Sequence, residues 1–256
     1  MDVVGVAGFA SESSGSRTNV TGILPVHNEA KVLGKVLDAI DQQTQPVDEV
    51  LIILDRCTDR SGAIAEQRHC LTQSVAYGNT ASSVMAGVRQ AANSVLVLFD
   101  GNTLVPPPYV ERVIQVLVRE HADVVEWHGG MMALRKETID RYGPFSTRFL
   151  WTLEYFLRVR AHGGIVVRLN GPHKRLRRSP LSRNIRYGLD YAELSQAYGL
   201  SPYFRVGTKS GWIPDLVALS GAVVGHARAG QLLSSVRRTT ADLRRLYSDR
   251  RNHTTL

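Results

Sequence analysis

The feature that most constrains the fold is an apolar run ending in an acid, at residues 95–100. Five apolar residues, VLVLF, lead directly into Asp100, and Gly101 and Asn102 follow as turn formers. An uninterrupted apolar run rich in β-branched residues predicts a strand that is buried on both faces and lies in the middle of a sheet. Open α/β sheets bind ligands at the carboxyl ends of their strands. Asp100 is therefore the first candidate functional residue, and the alternative is that it only caps an Asp-Gly turn.

Predicted strands and helices alternate on both sides of this run. Further strands are predicted at 20–26, 49–55, 71–77 and 122–128, and Asn28 is the predicted N-cap of the first helix. Alternation of this length predicts βαβ units. We therefore predict an α/β fold with a mainly parallel central sheet, followed by a basic, helical C-terminal extension.

The net charge of +8 is concentrated in two C-terminal segments. Residues 174–186 hold six Lys or Arg and no acid, residues 230–251 hold six arginines and two aspartates, and the remainder has a charge of −2. Such clustering indicates a phosphate-bearing or anionic partner, although a solvated surface run is the alternative for 174–186. In the tail, apolar residues lie opposite arginines on a predicted helix. The tail is therefore predicted either to pack on the protein's own core or to lie on an anionic membrane.

Several protein classes are disfavoured by what the sequence lacks. It contains no P-loop, no dinucleotide fingerprint and no zinc-ligand spacing. The apolar run at 216–225 has about half of the ~20 residues that a membrane span needs. Two cysteines and no signal peptide indicate a reducing cytoplasm. No recognised module or aromatic interleaving supports nucleic-acid binding, so we expect no nucleic-acid partner.

A second acid, Asp55, ends the predicted strand 49–55 as Asp100 ends the central one. Because the carboxyl ends of parallel strands meet at one edge of the sheet, both carboxylates should face the same crevice. Two converging acids indicate a diphosphate bound through a divalent metal, since hard cations take oxygen ligands and bridge phosphate oxygens. The alternative is that Asp55 and Asp59 serve as turn and cap residues.

Four segments resemble, in the correct order, the motifs of family 2 glycosyltransferases of the GT-A fold. They are PVHNE (25–29) with Gln43-Thr44 after it, ILDRCTDRS (53–61), YGNTASSVMAGVRQAANSVLVLFDGNT (77–103) and GGMMALRKETIDRYGPF (129–145). The order over about residues 20–170 is more specific than any single motif. The resemblance implies transfer of a sugar from a nucleotide-sugar to an acceptor hydroxyl or phosphate, with inversion and with help from a divalent metal.

The resemblance also implies roles for individual residues. The nucleotide-sugar pocket would comprise Pro25, Val26, His27, Glu29, Asp55, Asn79 and Asp100. Acceptor binding would fall to Gly129, Gly130, Trp151 and Arg175, with a phosphorylated or lipid-linked acceptor as one option. Mg²⁺ or Mn²⁺ would be held by Asp100, Asn102 and His173, where an imidazole suits Mn²⁺ better. His173 as an ordinary surface residue is the alternative.

The implied domain division places a disordered leader at 1–19 and the catalytic domain at 20–175. Within that domain, residues 20–105 form the nucleotide-sugar half and 106–175 the acceptor half. The basic helical extension follows over 176–256. A location in the cytoplasm is expected, with contact to the inner face of the membrane through the C-terminal helix as an option.

The sequence departs from the family pattern at four places. Leu54 stands where the first acid of an Asp-Asp pair is usual, and Asn79 stands where a lysine is usual. Asn102 replaces the second acid of the D-x-D motif, and it brings no charge to a metal. Trp151 and Thr152 stand where the family has a Glu-Asp pair.

Because neither residue of that pair accepts a proton here, Glu154 is the candidate general base. It would reach the acceptor if the helix begins after residue 152, and partial burial among its apolar neighbours would raise its pKa into a useful range. The alternative is an ion pair with Arg158, four residues on. Asp140, Glu126 or a substrate group would then be the base. An inactive GT-A binding protein or a nucleotidyltransferase of similar topology are the alternative functions.

Overall fold

The structure, a computed structural model, describes residues 17–128 and 130–177 and eight residues between 186 and 198. These eight are Arg186, Leu189, Asp190, Tyr191, Glu193, Leu194, Ala197 and Tyr198. The strands of the described part are β1 (Val20–Val26), β2 (Glu49–Asp55), β3 (Leu71–Val75), β4 (Val95–Leu98), β5 (Thr103–Leu104), β6 (Val124–His128), β7 (Met131–Arg135), β8 (Val166–Arg168) and β9 (Lys174–Arg175). The helices are α1 (Leu33–Asp41), α2 (Ser61–Gln67), α3 (Thr80–Gln90), α4 (Tyr109–Arg119), α5 (Lys136–Tyr142) and α6 (Trp151–Ala161).

Seven of these strands form one sheet in the order β3-β2-β1-β4-β7-β6-β8. Neighbouring strands pair in parallel except at β7, which is antiparallel to both β4 and β6. The predicted α/β fold with a mainly parallel sheet is therefore confirmed. The central position predicted for the 95–100 run is also confirmed, because β4 is the fourth strand of the seven and all its residues are buried.

Two apolar cores, one on each face of the sheet, explain why the central run is apolar throughout. Val95 and Val97 enter the core that contains α1, α2 and α4. Leu96 and Leu98 enter the core that contains α3, α5 and α6. Alternate side chains of a strand point to opposite faces, so a strand covered on both sides has no position for a polar residue.

Two local predictions differ from the structure. Helix α1 begins at Leu33 after Val32 as N-cap, with no side-chain capping bond, so the prediction of Asn28 as N-cap is wrong. Asn28 instead has a positive φ of 54°, and its side-chain oxygen accepts a hydrogen bond from the backbone N–H of Thr58 at 2.8 Å. Asn tolerates this left-handed conformation better than most residues. Strand β3 ends at Val75, two residues before the predicted end.

Beyond β9, the eight residues described between 186 and 198 are helical. Tyr191 and Leu194 are buried against Leu150, which precedes α6. The backbone N–H of Leu150 donates to the carboxylate of Asp190 at 2.9 Å. The predicted leader as far as residue 16 and, within the predicted basic helical extension, residues 199–256 lie outside the described residues. Among the residues that the structure describes, no helix has the length and apolar character of a membrane span.

Candidate functional site

The sheet has a topological switch point between β1 and β4. From β1 the chain moves outward through β2 and β3 on one side, and it then returns to place β4 on the other side of β1. Ligands of open α/β sheets bind in the crevice that such a reversal creates at the carboxyl ends of the strands. The residues that follow β1 and β4 there are 27–29 and 99–102. Asp55 ends β2 at the same edge, as its parallel pairing with β1 requires.

Glu29 lies at the bottom of this crevice and is only 6% exposed. Its Oε1 accepts a hydrogen bond from the side-chain nitrogen of Asn102 at 3.3 Å and lies 3.1 Å from Nη2 of Arg177. Its Oε2 is buried and has no hydrogen-bond partner within the described residues. Burial raises the pKa of Glu29 above its usual range, while Asn102 and Arg177 act in the opposite direction. Oε2 of Glu29 can therefore accept a hydrogen bond from a ligand.

Asp100 begins a tight turn on the other side of the crevice. Its Oδ1 accepts a hydrogen bond from the backbone N–H of Asn102 at 3.2 Å, which is the short-range bond expected of an Asp in a turn. Its Oδ2 lies 3.5 Å from Nη2 of Arg175. The turn passes close to β1, since a Cβ on Gly101 would stand 3.0 Å from the carbonyl oxygen of Pro25. Asp100 thus has both a turn role and an accessible carboxylate oxygen.

Strand β9 brings the basic segment directly onto this turn. Thr103 of β5 pairs with Arg175 of β9 in an antiparallel arrangement. The backbone N–H of Leu176 then donates to the carbonyl oxygen of Asn102 at 2.8 Å, and Nη1 of Arg177 donates to the carbonyl oxygen of Asn28 at 3.2 Å. The start of the basic segment is therefore held across the crevice, beside Glu29 and Asp100.

Asp55 is buried, and the protein itself uses its carboxylate. Oδ1 accepts from the backbone N–H of Gly78 at 2.9 Å, and Oδ2 accepts from the N–H of Asn79 at 3.2 Å and from the Ser83 hydroxyl at 3.0 Å. These bonds attach the end of β2 to the first turn of α3. Nucleotide binding by Asp55 stays a prediction, and the contacts show a structural role that differs from the predicted turn or cap, because they join Asp55 to residues 78, 79 and 83.

The remaining residues predicted for the nucleotide pocket differ in how they are placed. His27 is exposed at the crevice, and its Nδ1 donates to the carbonyl oxygen of Asp55 at 2.7 Å. Asn79 caps α3 by accepting a hydrogen bond from the N–H of Ser82 at 3.0 Å. Pro25 is partly buried beside the turn. Val26 is 1% exposed and belongs to the core, so its place in the nucleotide pocket stays a prediction that this burial does not favour.

Two histidines stack beside the crevice. The rings of His128, at the end of β6, and His173 are 3.6 Å apart between centroids. Burial, followed by the neighbouring His173, lowers the pKa of His128 to about 4, so this imidazole is neutral at pH 7. His173 is exposed. The stack is supported by Trp127, whose ring nitrogen donates to the carbonyl oxygen of Pro172 at 3.0 Å.

The predicted acceptor side is assembled around the start of α6. Trp151 is 8% exposed and packs against Phe145, with ring centroids 4.8 Å apart, so most of its surface belongs to the core rather than to a binding site. A Cβ on Gly130 would stand 3.8 Å from the Trp151 ring. Gly129 lies outside the described residues. Arg175 lies 3.5 Å from Asp100, and its predicted role in acceptor binding stays a prediction.

Glu154 lies within α6 and not in a loop before it. Helix α6 begins at Trp151, so the condition under which Glu154 was expected to reach an acceptor is not met. Its carboxylate is buried, and Oε2 accepts a hydrogen bond from Nη2 of Arg158 at 3.0 Å. The hydroxyl of Tyr198 donates to Oε1 at 3.3 Å. The alternative of an ion pair with the residue four positions on is therefore present, and the role of Glu154 as general base stays a prediction.

The predicted metal ligands do not form a strong donor set. Of Asp100, Asn102 and His173, only Asp100 brings a carboxylate, and its Oδ2 already faces Arg175. The side-chain nitrogen of Asn102 faces Glu29, and Asn102 brings no charge. Across the described parts of the chain, no group of three or more His, Cys, Asp or Glu side chains is placed to hold a metal ion. The residues present therefore fit a divalent cation poorly.

Two residues of the site were missed by the sequence analysis. Arg177 was noted only as part of a basic run, and nothing local to it indicated a contact with Glu29. His128 is the last residue of the predicted strand at 122–128. The rule that side chains at the carboxyl ends of parallel strands share one edge would have placed it beside Asp100.

A charged crevice at the switch point of a mainly parallel sheet lies where the class of open α/β proteins binds its ligands. The family model described as Glycosyl transferase family 2 matches residues 21–184. The chain therefore belongs to glycosyl transferase family 2, and the resemblance stated from its motifs is confirmed.

One curated relative is Glycosyltransferase GlyA of Streptococcus pneumoniae serotype 4 (strain ATCC BAA-334 / TIGR4). It is 26% identical over 110 residues, which is 41% of this chain and 16% of that protein. The chain thus matches well under two thirds of this relative's length.

Two similar solved structures support the fold. Glucosyl-3-phosphoglycerate synthase from Mycobacterium tuberculosis, in complex with Mn²⁺, UDP and glucosyl-3-phosphoglycerate, has a TM-score of 0.61 at 16% identity, covering 72% of this chain and 81% of that one. The mannosyltransferase PcManGT from Pyrobaculum calidifontis, in complex with GDP-Man and Mn²⁺, has a TM-score of 0.62 at 18% identity, covering 89% of this chain and 75% of that one. At these identities the likeness establishes the fold alone.

Proposed function

We propose that this chain transfers a glycosyl group from a nucleoside-diphosphate sugar to an acceptor hydroxyl or phosphate. The observation that carries the proposal is the crevice between β1 and β4, where Glu29 and Asp100 stand opposite each other under Arg175 and Arg177. Family membership over residues 21–184 supports the same activity. A diphosphate would find positive charge here, and the carboxylates would find hydroxyl donors on a ribose or sugar.

The reaction asks the site for two things. The bond between the sugar and the diphosphate breaks, so the charge that develops on the leaving phosphate must be stabilised. The acceptor oxygen must also lose its proton as it attacks, and Glu154 remains our candidate for that role although it would first have to leave Arg158. Inversion at the sugar stays a prediction. So does the divalent metal, through which no step is routed because the donor set fits it poorly.

The acceptor is proposed by charge alone. The basic segment 174–186 holds six Lys or Arg and no acid, which is more positive charge than the donor diphosphate needs, so an acceptor that carries a phosphate, free or lipid-linked, would suit it. The names of the two similar structures include a phosphoglycerate product and GDP-Man, which is consistent with phosphorylated ligands in folds of this kind. A cytoplasmic location and contact with a membrane stay predictions.

A binding protein without catalytic activity is the second candidate function. Asn102 and Thr152 favour it, because each replaces an acid of the family pattern with an uncharged residue. A nucleotidyltransferase is the further alternative, and the family match counts against it.

The experiment is a thermal-shift panel of UDP-, GDP-, ADP-, CDP- and dTDP-sugars, each with EDTA, Mg²⁺ or Mn²⁺, followed by product analysis. A ligand at about 100 times its dissociation constant adds about 2.7 kcal/mol to stability, which raises the midpoint by about 5–10 °C in a chain of this size. We expect one nucleotide class to stabilise the protein and its sugar to be transferred or hydrolysed. Stabilisation without release of nucleoside diphosphate would support the inactive binding protein. No stabilisation by any donor would contradict the proposal.

A further inference from the structure

Both carboxylates of the crevice are already matched by a cation from the chain. Nη2 of Arg175 lies 3.5 Å from Oδ2 of Asp100, and Nη2 of Arg177 lies 3.1 Å from Oε1 of Glu29. Asp100 is the acid expected to hold a divalent metal, but its Oδ1 accepts a hydrogen bond within the turn and its Oδ2 already has a guanidinium beside it. Two guanidinium groups also bring a charge of +2, which equals that of one divalent cation.

We propose that Arg175 and Arg177 supply the positive charge that neutralises the donor diphosphate, so that donor binding does not require a divalent metal. This inference rests on the proposed function and deepens it. It differs from the metal dependence expected from the family motif, and the reason lies in this chain's own residues. Asn102 removes a negative charge, while Arg175 of β9 and Arg177 just after it bring two positive charges.

The backbone holds these arginines in place. Arg175 lies in β9 and pairs with Thr103. Thr103 follows Asp100 by only three residues along the chain. The bond from Leu176 N–H to the carbonyl oxygen of Asn102, at 2.8 Å, continues the pairing towards Arg177. A charged group that is fixed before the ligand arrives loses little entropy on binding, and it needs no reorganisation when charge develops on the leaving group.

The guanidinium groups also keep surface for a ligand. The side chain of Arg175 is 39% exposed and that of Arg177 is 56% exposed. A guanidinium has five N–H donors in a planar fork that matches phosphate oxygens. The exposed faces of the two forks would thus bind the diphosphate, while the pairing of β9 and the hydrogen bond at Asn102 fix the backbone that carries them.

Arg175 is the better residue to test. Removing Arg177 would leave the buried carboxylate of Glu29 without its cation, and loss of one partner of a buried pair can unfold a protein. The carboxylate of Asp100 is 31% exposed and can be hydrated when Arg175 is lost. Arg175→Gln is therefore the main variant, and Arg175→Lys retains the charge without the fork. Arg119→Gln, on the exposed side of α4, is the matched control.

The experiment is calorimetric titration of UDP and GDP, and of uridine and guanosine, in EDTA and in Mn²⁺. We expect a diphosphate to bind wild type in EDTA, and Arg175→Gln to weaken that binding about 10-fold or more, because charge-assisted hydrogen bonds are lost. Binding of the corresponding nucleoside should not change, and Arg119→Gln should behave as wild type. Arg175→Lys should fall between Arg175→Gln and wild type.

Asp100→Asn separates the two sources of charge. If the arginines neutralise the diphosphate, this variant keeps or tightens binding in EDTA, because a negative charge near the phosphates is removed. If a metal does so, Asp100→Asn loses binding, and wild type binds only with Mn²⁺. That second pattern, with Arg175→Gln equal to wild type, would overturn the inference and leave the proposed function intact. Absence of diphosphate binding in every condition would instead overturn the proposed function, and this inference with it.

Discussion

Asp55 shows at the scale of one residue how a predicted ligand-binding acid can also hold the fold together. Its carboxylate accepts from Gly78, Asn79 and Ser83 and so joins the end of β2 to the start of α3. Any nucleotide contact would have to share oxygens that already accept three bonds. The sequence predicts the edge of the sheet at which Asp55 lies, but only the hydrogen-bond partners of its carboxylate show that it stabilises the fold.

We expect Asp55→Ala to lower the free energy of unfolding by about 1–3 kcal/mol, because the N–H groups of residues 78 and 79 lose their acceptor. Urea denaturation of the variant beside Glu66→Ala, an exposed acid of α2, would measure this. Glu66→Ala should stay within about 0.5 kcal/mol of wild type. A fully stable Asp55→Ala that no longer binds nucleotide would contradict the structural role and support the nucleotide contact predicted from sequence.

At the scale of elements, the approach of the 169–173 segment to β6 decides where β9 and its arginines lie. Gly171 is buried, and its N–H donates to the carbonyl oxygen of Trp127 at 3.0 Å. A Cβ at this position would stand 1.8 Å from the Trp127 ring. Any side chain would therefore push this segment and β6 apart. The close approach needs glycine for lack of space and not for an unusual backbone angle.

Gly171→Ala is expected to destabilise the protein by about 1–3 kcal/mol, as overpacking does, and to weaken diphosphate binding by displacing Arg175 and Arg177. Gly34→Ala in α1 is the matched control, because no atom lies within 4 Å of its added Cβ. Alanine favours a helix over glycine, so Gly34→Ala should gain up to about 1 kcal/mol. Thermal denaturation and titration with the diphosphate measure both effects. If Gly171→Ala were as stable as Gly34→Ala, β6 and the 169–173 segment could separate without loss of stability, which would contradict this prediction.

For the whole molecule, the uneven distribution of charge is the main feature that sequence alone supports. Residues 174–177 of the basic segment lie on the crevice, whereas the arginine-rich tail lies outside the described residues. The positive charge is therefore located in at least two separate parts of the chain. The position of the first part is structurally defined. For the tail, packing on the core and contact with an anionic membrane both stay predictions.

If the tail lies on a membrane, the protein should float with vesicles of anionic phospholipid at low salt and not with zwitterionic vesicles. Attraction of basic residues to an anionic surface is screened within about 3 Å at 1 M salt, so high salt should release the protein from the vesicles. A variant lacking residues 230–256 is the control, and it should stay in the soluble fraction throughout. Absence of flotation at low salt would reject the membrane contact.

The sequence by itself determined the fold class, the order of the main strands and helices as far as β6, and the edge of the sheet at which Asp55 and Asp100 lie. These features follow from local patterns. The uninterrupted apolar run before Asp100 indicates a strand buried on both faces, and the alternation of strands and helices indicates a parallel sheet. The acids at the ends of β2 and β4 were found for the same reason, since their positions follow from strand direction alone.

Only the tertiary structure decided which partners these acids have. Arg177 contacts the loop at Asn28 from 149 residues away along the chain, and no periodicity or motif encodes a contact across such a distance. Whether the side chain of Glu154 faces an acceptor or Arg158 depends on the residue at which α6 begins, and the sequence alone does not fix that residue. Contacts of this kind depend on how separate elements pack, which is why the charge balance of the crevice emerged only from the fold.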